Sequence, residues 1–271
     1  MAKDTSKTFA SAYQMYARGE HRGARGLLEA ALRDKPGDGP SMFLMGVLDL
    51  EEGAMEAGAR RLDEAAKAIQ PKAKLAHRAG RLFFEHKDLP RAEKWLAKAA
   101  ELNPSEPASH FWLGNVLRLK GSFRGAEREL KISIDLAPTQ ARGYVALAYL
   151  YREQGDLKKA AETMMILHAR GPKAADAQEK IAGFLIEIER PDLAEKVLTK
   201  LLPQKNEDSA FLVSLGRLRQ KLGMFREAGQ VYRRAIIRDA NADAAYLGLS
   251  VVKKFESPDD PDAVILRQGL D

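Results

Sequence analysis

Apolar residues in this chain recur at three- and four-residue spacing, the mark of helices that bury one stripe. Leu113, Val116 and Leu117 fall on one face of a helix predicted near residues 108–119. Leu130 and Ile134 fall on one face of a second, near 123–136. Lys120-Gly121-Ser122 stands between them as a turn, because glycine tolerates the left-handed backbone found just past a helix end. Pro138 cannot continue the second helix and closes it. The unit predicted is a pair of helices joined by a tight turn.

The same landmarks return every 34 residues: Leu113-Gly114-Asn115, Gly121, Ala126 and Pro138 become Leu147-Ala148-Tyr149, Gly155, Ala160 and Pro172. Carried along the chain, the register gives repeats 5–38, 39–72, 73–106, 107–140, 141–174, 175–208 and 209–242, with an incomplete one at 243–271. The eighth position of each repeat is small, as Ala12, Gly46, Gly80, Gly114, Ala148, Ala182, Gly216 and Ser250. The twentieth is Ala24, Gly58, Ala92, Ala126, Ala160, Ala194 and Ala228, until Asp262 breaks the run. Gly19, Gly53, Gly121, Gly155 and Gly223 mark the turn, and Pro36, Pro104, Pro138 and Pro172 the close, with Pro71 one place late. Two helices approach closely only where the contact residues are small, so these columns predict paired backbones in contact. A single pair cannot bury its own apolar face, and stacking of neighbours must do so. Repeat 6 departs from the pattern: Glu189 replaces the turn glycine, Pro191 comes early in the second helix, and Pro203 precedes the polar stretch 204–208. A looser joint is expected there.

Two small-residue columns, a glycine turn and a proline stop in one register resemble the tetratricopeptide repeat family, over almost the whole chain. The resemblance implies an all-α fold, a single right-handed superhelical solenoid over residues 1–271, that binds a protein or peptide and is not itself an enzyme. In that family the first helices line a concave groove, with positions 2, 5, 9 and 12 of each repeat facing in. Carried over, this implies an apolar groove end made by Phe9, Tyr13, Tyr16, Phe43, Val47 and Leu50. It also implies a basic, aromatic-interleaved middle made by Lys74, His77, Arg81, Phe84, Phe111, Asn115, Arg118, Arg142, Tyr149 and Arg152, extended by Arg217 and Gln220. The partner implied is a protein or peptide with an acidic segment, since the planar arginine fork holds a carboxylate with two hydrogen bonds. For Phe9, Tyr13 and Phe43 two readings stand level: ligand contacts, or a surface that caps the array or pairs two copies of the chain. A two-carboxylate clamp of the kind some members use is not expected, because Asn115 matches one clamp position while Phe111 and His77 stand where lysines belong. The resemblance leaves a second function open, the recruiting region of a larger bacterial sulfotransferase or glycosyltransferase, several of which carry a similar array before the catalytic domain. The segment 246–250 followed by the polar stretch 257–261 is similar in style to where such arrays lead onward.

Composition narrows the rest. The absence of cysteine removes disulfides, thiolate metal sites and cysteine nucleophiles, and fits a reducing, cytoplasmic setting. The charged start at Met1–Lys7 has no apolar stretch behind it, so no signal peptide is read, and no apolar run approaches a membrane span. The 44 basic and 38 acidic residues are interspersed, which suits a solvated helix surface more than a nucleic-acid footprint. RNA binding of the related pentatricopeptide kind is disfavoured further by the strict 34-residue period. No phosphate loop, dinucleotide fingerprint or His-Glu-x-x-His motif is present. His21, His77, His86, His110 and His168 are scattered, and His110 stands at a core-type position, read as a packed neutral side chain. Glu51-Glu52 and Asp259-Asp260 are read as solvated or capping residues, and Trp95 and Trp112 as packing residues. No cofactor, metal or catalytic residue is expected.

Overall fold

The computed structural model describes residues 5–171, 174–252 and 260–268. The first four helix pairs are α1 (Thr5–Ala17) with α2 (His21–Asp34), α3 (Gly39–Glu51) with α4 (Met55–Ala68), α5 (Ala73–Glu85) with α6 (Leu89–Leu102), and α7 (Pro107–Leu119) with α8 (Phe123–Leu136). They make up one compact unit, within residues 1–138. A second unit, within residues 139–271, pairs α9 (Ala141–Glu153) with α10 (Leu157–Arg170) and α11 (Ala175–Glu187) with α12 (Pro191–Thr199). It continues through the short α13 (Leu202–Lys205), then α14 (Ser209–Lys221) with α15 (Phe225–Arg238), and α16 (Asp243–Val252) with α17 (Pro261–Gln268). Every described element is a helix or a turn, and the eight first helices begin 34 residues apart, from Thr5 to Asp243. Of the sequence landmarks, Pro172, residues 257–259 and residues 269–271 lie outside the described residues.

The turns explain the glycine column. In the fourth pair, the Ser122 N–H reaches back to the Leu117 carbonyl at 2.9 Å and the Gly121 N–H to that of Arg118 at 3.0 Å. This double closure satisfies carbonyls left over at the helix end and puts Gly121 at φ 76°. The third and sixth repeats, which lack the glycine, build the same turn. Asp88 N–H reaches Phe83, and Arg190 N–H reaches Leu185, which forces Lys87 to φ 63° and Glu189 to φ 59°. Packing of the flanking helices thus imposes a left-handed residue even where a side chain opposes it.

The small columns are points where backbones touch. A Cβ placed on Gly58 of α4 would lie 2.8 Å from the Gly46 carbonyl oxygen of α3, and one on Gly46 would lie 3.1 Å from that of Gly58. In the fourth pair a Cβ on Gly114 would meet Leu130 Cγ at 2.7 Å. Ala92, Ala126, Ala160, Ala194 and Ala228 are all fully buried at the facing column. Around these contacts Leu28, Leu62, Leu96, Leu130 and Tyr232 fill the interior of their own pairs. Asp262 takes the same column in α17; its buried carboxylate lies 3.0 Å from the Arg233 guanidinium of α15.

Repeat 6 departs from the others through its second helix. Proline at 203 has no N–H to give the carbonyl of Thr199, four residues back, and α12 ends at Thr199. A turn at Lys200 and Leu201 leads into the four residues of α13, which replace the last turn of a full-length second helix. Two outcomes are expected from these contacts. Lys87→Gly and Glu189→Gly each raise stability in urea denaturation by about 0.5–1 kcal/mol, since relief of the left-handed strain outweighs the added freedom of the unfolded chain. Ala160→Leu lowers it by roughly 1–3 kcal/mol through overpacking of α9 against α10; an unchanged midpoint would contradict the assigned contact.

Candidate functional site

Within the first unit, α5 and α7 bring the predicted middle residues together. His77, Arg81 and Phe84 follow one another at helical spacing on α5, as Phe111, Asn115 and Arg118 do on α7, and all six are half-buried. The two rows meet across the groove between the helices. His77 Nδ1 lies 3.0 Å from Ser109 Oγ. The Trp112 ring packs edge-on against Phe84 at 5.2 Å and against its neighbour Phe111 at 5.2 Å. The Arg81 guanidinium lies 5.0 Å over the same indole while donating to Glu85 at 3.1 Å. Asn115 turns its amide back to the Phe111 carbonyl, 2.9 Å away. Trp112 lies outside the predicted surface residues, although it stands three residues before Asn115 and so on the same side of α7. Beside this stack a cavity of about 260 Å³ remains, along Lys74, His77, Glu106 and Ser109.

The proposed apolar end does not form. Phe43 is 1% exposed and Val47 and Leu50 are fully buried, so these side chains belong to the core, where Phe43 meets the Trp95 ring edge-on at 5.1 Å. The reason is that α3 lies between flanking pairs and is apolar around most of its circumference, so that Phe43 through Leu50 are all buried. Phe9 and Tyr13 remain half-buried, 6.1 Å apart, with the Lys72 ammonium 5.4 Å from the first ring and 4.1 Å from the second. Tyr16 joins a polar network. Its hydroxyl donates to Glu51 Oε1 at 2.9 Å, the Arg78 Nε donates to the same oxygen at 2.6 Å, and the other carboxylate oxygen lies 3.3 Å from His21, on which the Tyr16 ring stacks. Glu51 is therefore not a solvated residue; its side chain is 7% exposed and ties α1, the start of α2, α3 and α5 together. Asp49 is likewise buried, held by Arg25 at 3.0 Å and by Arg61. Burial, then the Glu51 charge and hydrogen bond, push the Tyr16 hydroxyl well above the ordinary tyrosine range.

His110 is packed as expected, 6% exposed, with Nδ1 2.8 Å from Glu129 and Nε2 2.9 Å from the Pro104 carbonyl. Both ring nitrogens meet acceptors, so it pins α7 to α8 and to the preceding loop.

In the second unit the first helices α9 and α11 enclose a larger space, about 670 Å³. Val145 and Tyr149 of α9 form one wall and Ile181 and Phe184 of α11 the other, over Met164 and Leu167 of α10. The Arg152 guanidinium lies at the rim, 4.4 Å from the Tyr149 ring and 5.6 Å from that of Phe184, and donates to the exposed Glu187 at 2.9 Å. Arg142 is exposed one turn before Val145 on α9, and Arg217 is exposed on α14; neither lines this space. The α11 wall lies outside the predicted set, since Ile181 and Phe184 stand at positions 7 and 10 of repeat 6, whereas positions 2, 5, 9 and 12 are Asp176, Glu179, Gly183 and Ile186. In an alkaline absorbance titration, the Tyr16→Phe difference signal is expected above the ordinary tyrosine range, and Glu51→Gln to bring it to lower pH. A Tyr16 signal within the ordinary range would contradict the network.

The tetratricopeptide repeat models match residues 77–141, 145–209 and 212–243, more than half of the chain. Cellulose synthase operon protein C of Pseudomonas fluorescens (strain SBW25) is 30% identical over 122 residues, 45% of this chain and 10% of that protein. The chain thus spans only a small part of the length of the curated relative it matches. Among solved structures, that of Naa15/Naa10 bound to HypK-THB aligns with a TM-score of 0.61 at 19% identity, over 96% of this chain and 40% of that one. MamA aligns with 0.54 at 18% identity, over 63% and 93%. YrrB, described as a TPR protein with an unusual peptide-binding site, aligns with 0.55 at 16% identity, over 65% and 97%. Likeness at these identities concerns the fold alone. The matched repeats continue the helix spacing that begins at Thr5, and on that ground the chain belongs to the tetratricopeptide repeat family.

Proposed function

We propose that this chain is a protein-interaction scaffold that binds a peptide or protein segment across the exposed side of its first helices, with acidic groups of the partner meeting arginines. The observation that carries the reading is the pairing of arginine with aromatic rings between successive first helices in both units: Arg81 of α5 over Trp112 of α7, and Arg152 of α9 over Tyr149 and over Phe184 of α11. A guanidinium laid on a ring keeps its orientation and leaves its N–H edge toward solvent. The carboxylates now holding those edges, Glu85 and Glu187, are themselves 45% and 58% exposed. Exposed pairs of this kind contribute little, so a partner's carboxylate exchanges with them at small loss. YrrB and the HypK-bound Naa15/Naa10 assembly lend the reading a family setting without naming this chain's partner. No helix among the described residues is long and apolar enough to cross a membrane.

A photo-crosslinking residue placed at Asn115 or Tyr149 is expected to capture a partner from the source cell, and one placed at the exposed Glu64 or Glu162 of the second helices to leave it uncaptured. Arg81→Glu combined with Arg152→Glu lowers affinity for that partner by about tenfold or more, because like charges then face each other. Equal capture from both kinds of helix, or affinity untouched by the charge reversal, would overturn the assignment.

A further inference from the structure

The 34-residue register gives an internal comparison. Two repeats separate α5 and α7 from α9 and α11, so each residue of the first groove has a counterpart 68 positions on in the second. The two cavities sit at equivalent places: Ala73, His77, Glu106, Ala108 and Ser109 of the smaller correspond to Ala141, Val145, Ala174, Asp176 and Ala177 of the larger. Their difference in size, about 260 against about 670 Å³, has a local cause. In the first groove Trp112 lays its indole between the helices, against Phe84 and under Arg81. The counterpart of Trp112 is Lys180, and that of Asn115 is Gly183. Where the first unit holds an aromatic ring of its own, the second has an open space walled by Tyr149 and Phe184, with Arg152 at its edge.

We propose that the space between α9 and α11 is an anchor site for one aromatic side chain of a bound peptide, with an acidic residue beside it meeting Lys180. This rests on the first-helix surface being the binding face, and names what it selects. The wall chemistry suits an aromatic guest, since Tyr149 and Phe184 already meet edge-on at 5.1 Å and a third ring extends that packing. The charge at the mouth suits an acidic neighbour. Lys180 is exposed at the lining and has no ion-pair partner among the described residues. The space is a few side chains in volume, within the range of pockets that hold organic ligands.

Gly183 provides the test. A Cβ built there meets nothing within 4 Å, so a larger residue fits the fold while its side chain enters the lined space. The probe is a fluorescein-labelled peptide of sequence Gly-Ser-Trp-Glu-Glu-Gly, acetylated and amidated, followed by anisotropy on the full chain. Binding to the wild type is expected, weakened by about tenfold or more on replacing the peptide's Trp by Ala, and equally by Gly183→Leu with helical circular dichroism unchanged. Lys180→Trp, which rebuilds the arrangement of the first groove, also closes the site; Lys180→Glu weakens this peptide and favours one with Lys in place of Glu. No binding up to millimolar peptide, or binding indifferent to Gly183→Leu, overturns the anchor site. If crosslinking from Asn115 still captures a partner in that case, the first-helix surface stands and only the pocket is lost. If the chain instead self-associates and Gly183→Leu abolishes that, a second copy is the occupant and the proposal fails.

Discussion

Everything else in this fold depends on two backbones being allowed to touch. At the crossing in each of the first seven helix pairs one residue from either helix has almost no side chain, as Gly46 and Gly58 show by having the other's carbonyl oxygen where a Cβ would go. That contact sets the separation of the helices, and the leucines one turn away then have fixed gaps to fill. Tyr232 shows the same rule used at larger scale. Its fully buried ring takes up the room that Gly216 of α14 leaves empty, with a hypothetical Cβ only 2.5 Å from the ring. Its hydroxyl, raised in pKa mainly by burial, lies 3.0 Å from Gln220.

The fold was legible in the sequence because that contact recurs. A glycine or alanine once in a helix says nothing; the same small residue every 34 positions, in two columns, says where helices cross. The turn glycines were legible for the same reason, and their absence from the third and sixth repeats is instructive. Lys87 and Glu189 adopt the left-handed turn regardless, so here the tertiary contacts decide and the local preference yields. Repeat 6 was flagged by its prolines, and Pro203 shortens α12, while the register resumes intact at Ser209.

The candidate surface was legible only in part. Arg81, Phe84, Phe111 and Arg118 lie where the carried-over positions put them, half-buried along α5 and α7. Phe43 and Val47 do not, because position alone says nothing about whether a neighbouring pair covers a helix face. In α3 both sides are covered, and its unbroken apolar run from Phe43 to Leu48 was the available signal. The α9–α11 cavity was missed for the opposite reason. It is made by what is absent, a lysine and a glycine where the earlier groove carries Trp112 and Asn115, and empty space has no residue type to announce it.

Glu51 carries one more implication. Stacked repeats are usually treated as a row in which each unit feels only the next one. The buried carboxylate of α3 breaks that rule, since it accepts from Tyr16 of the repeat before and Arg78 of the repeat after through a single oxygen. Loss of either donor leaves the charge short of a partner in a place with little water, so the first and third repeats sense one another through the second. Fraying at this end is then a concerted event of three repeats, with a longer correlation length than the apolar stacking alone would give it.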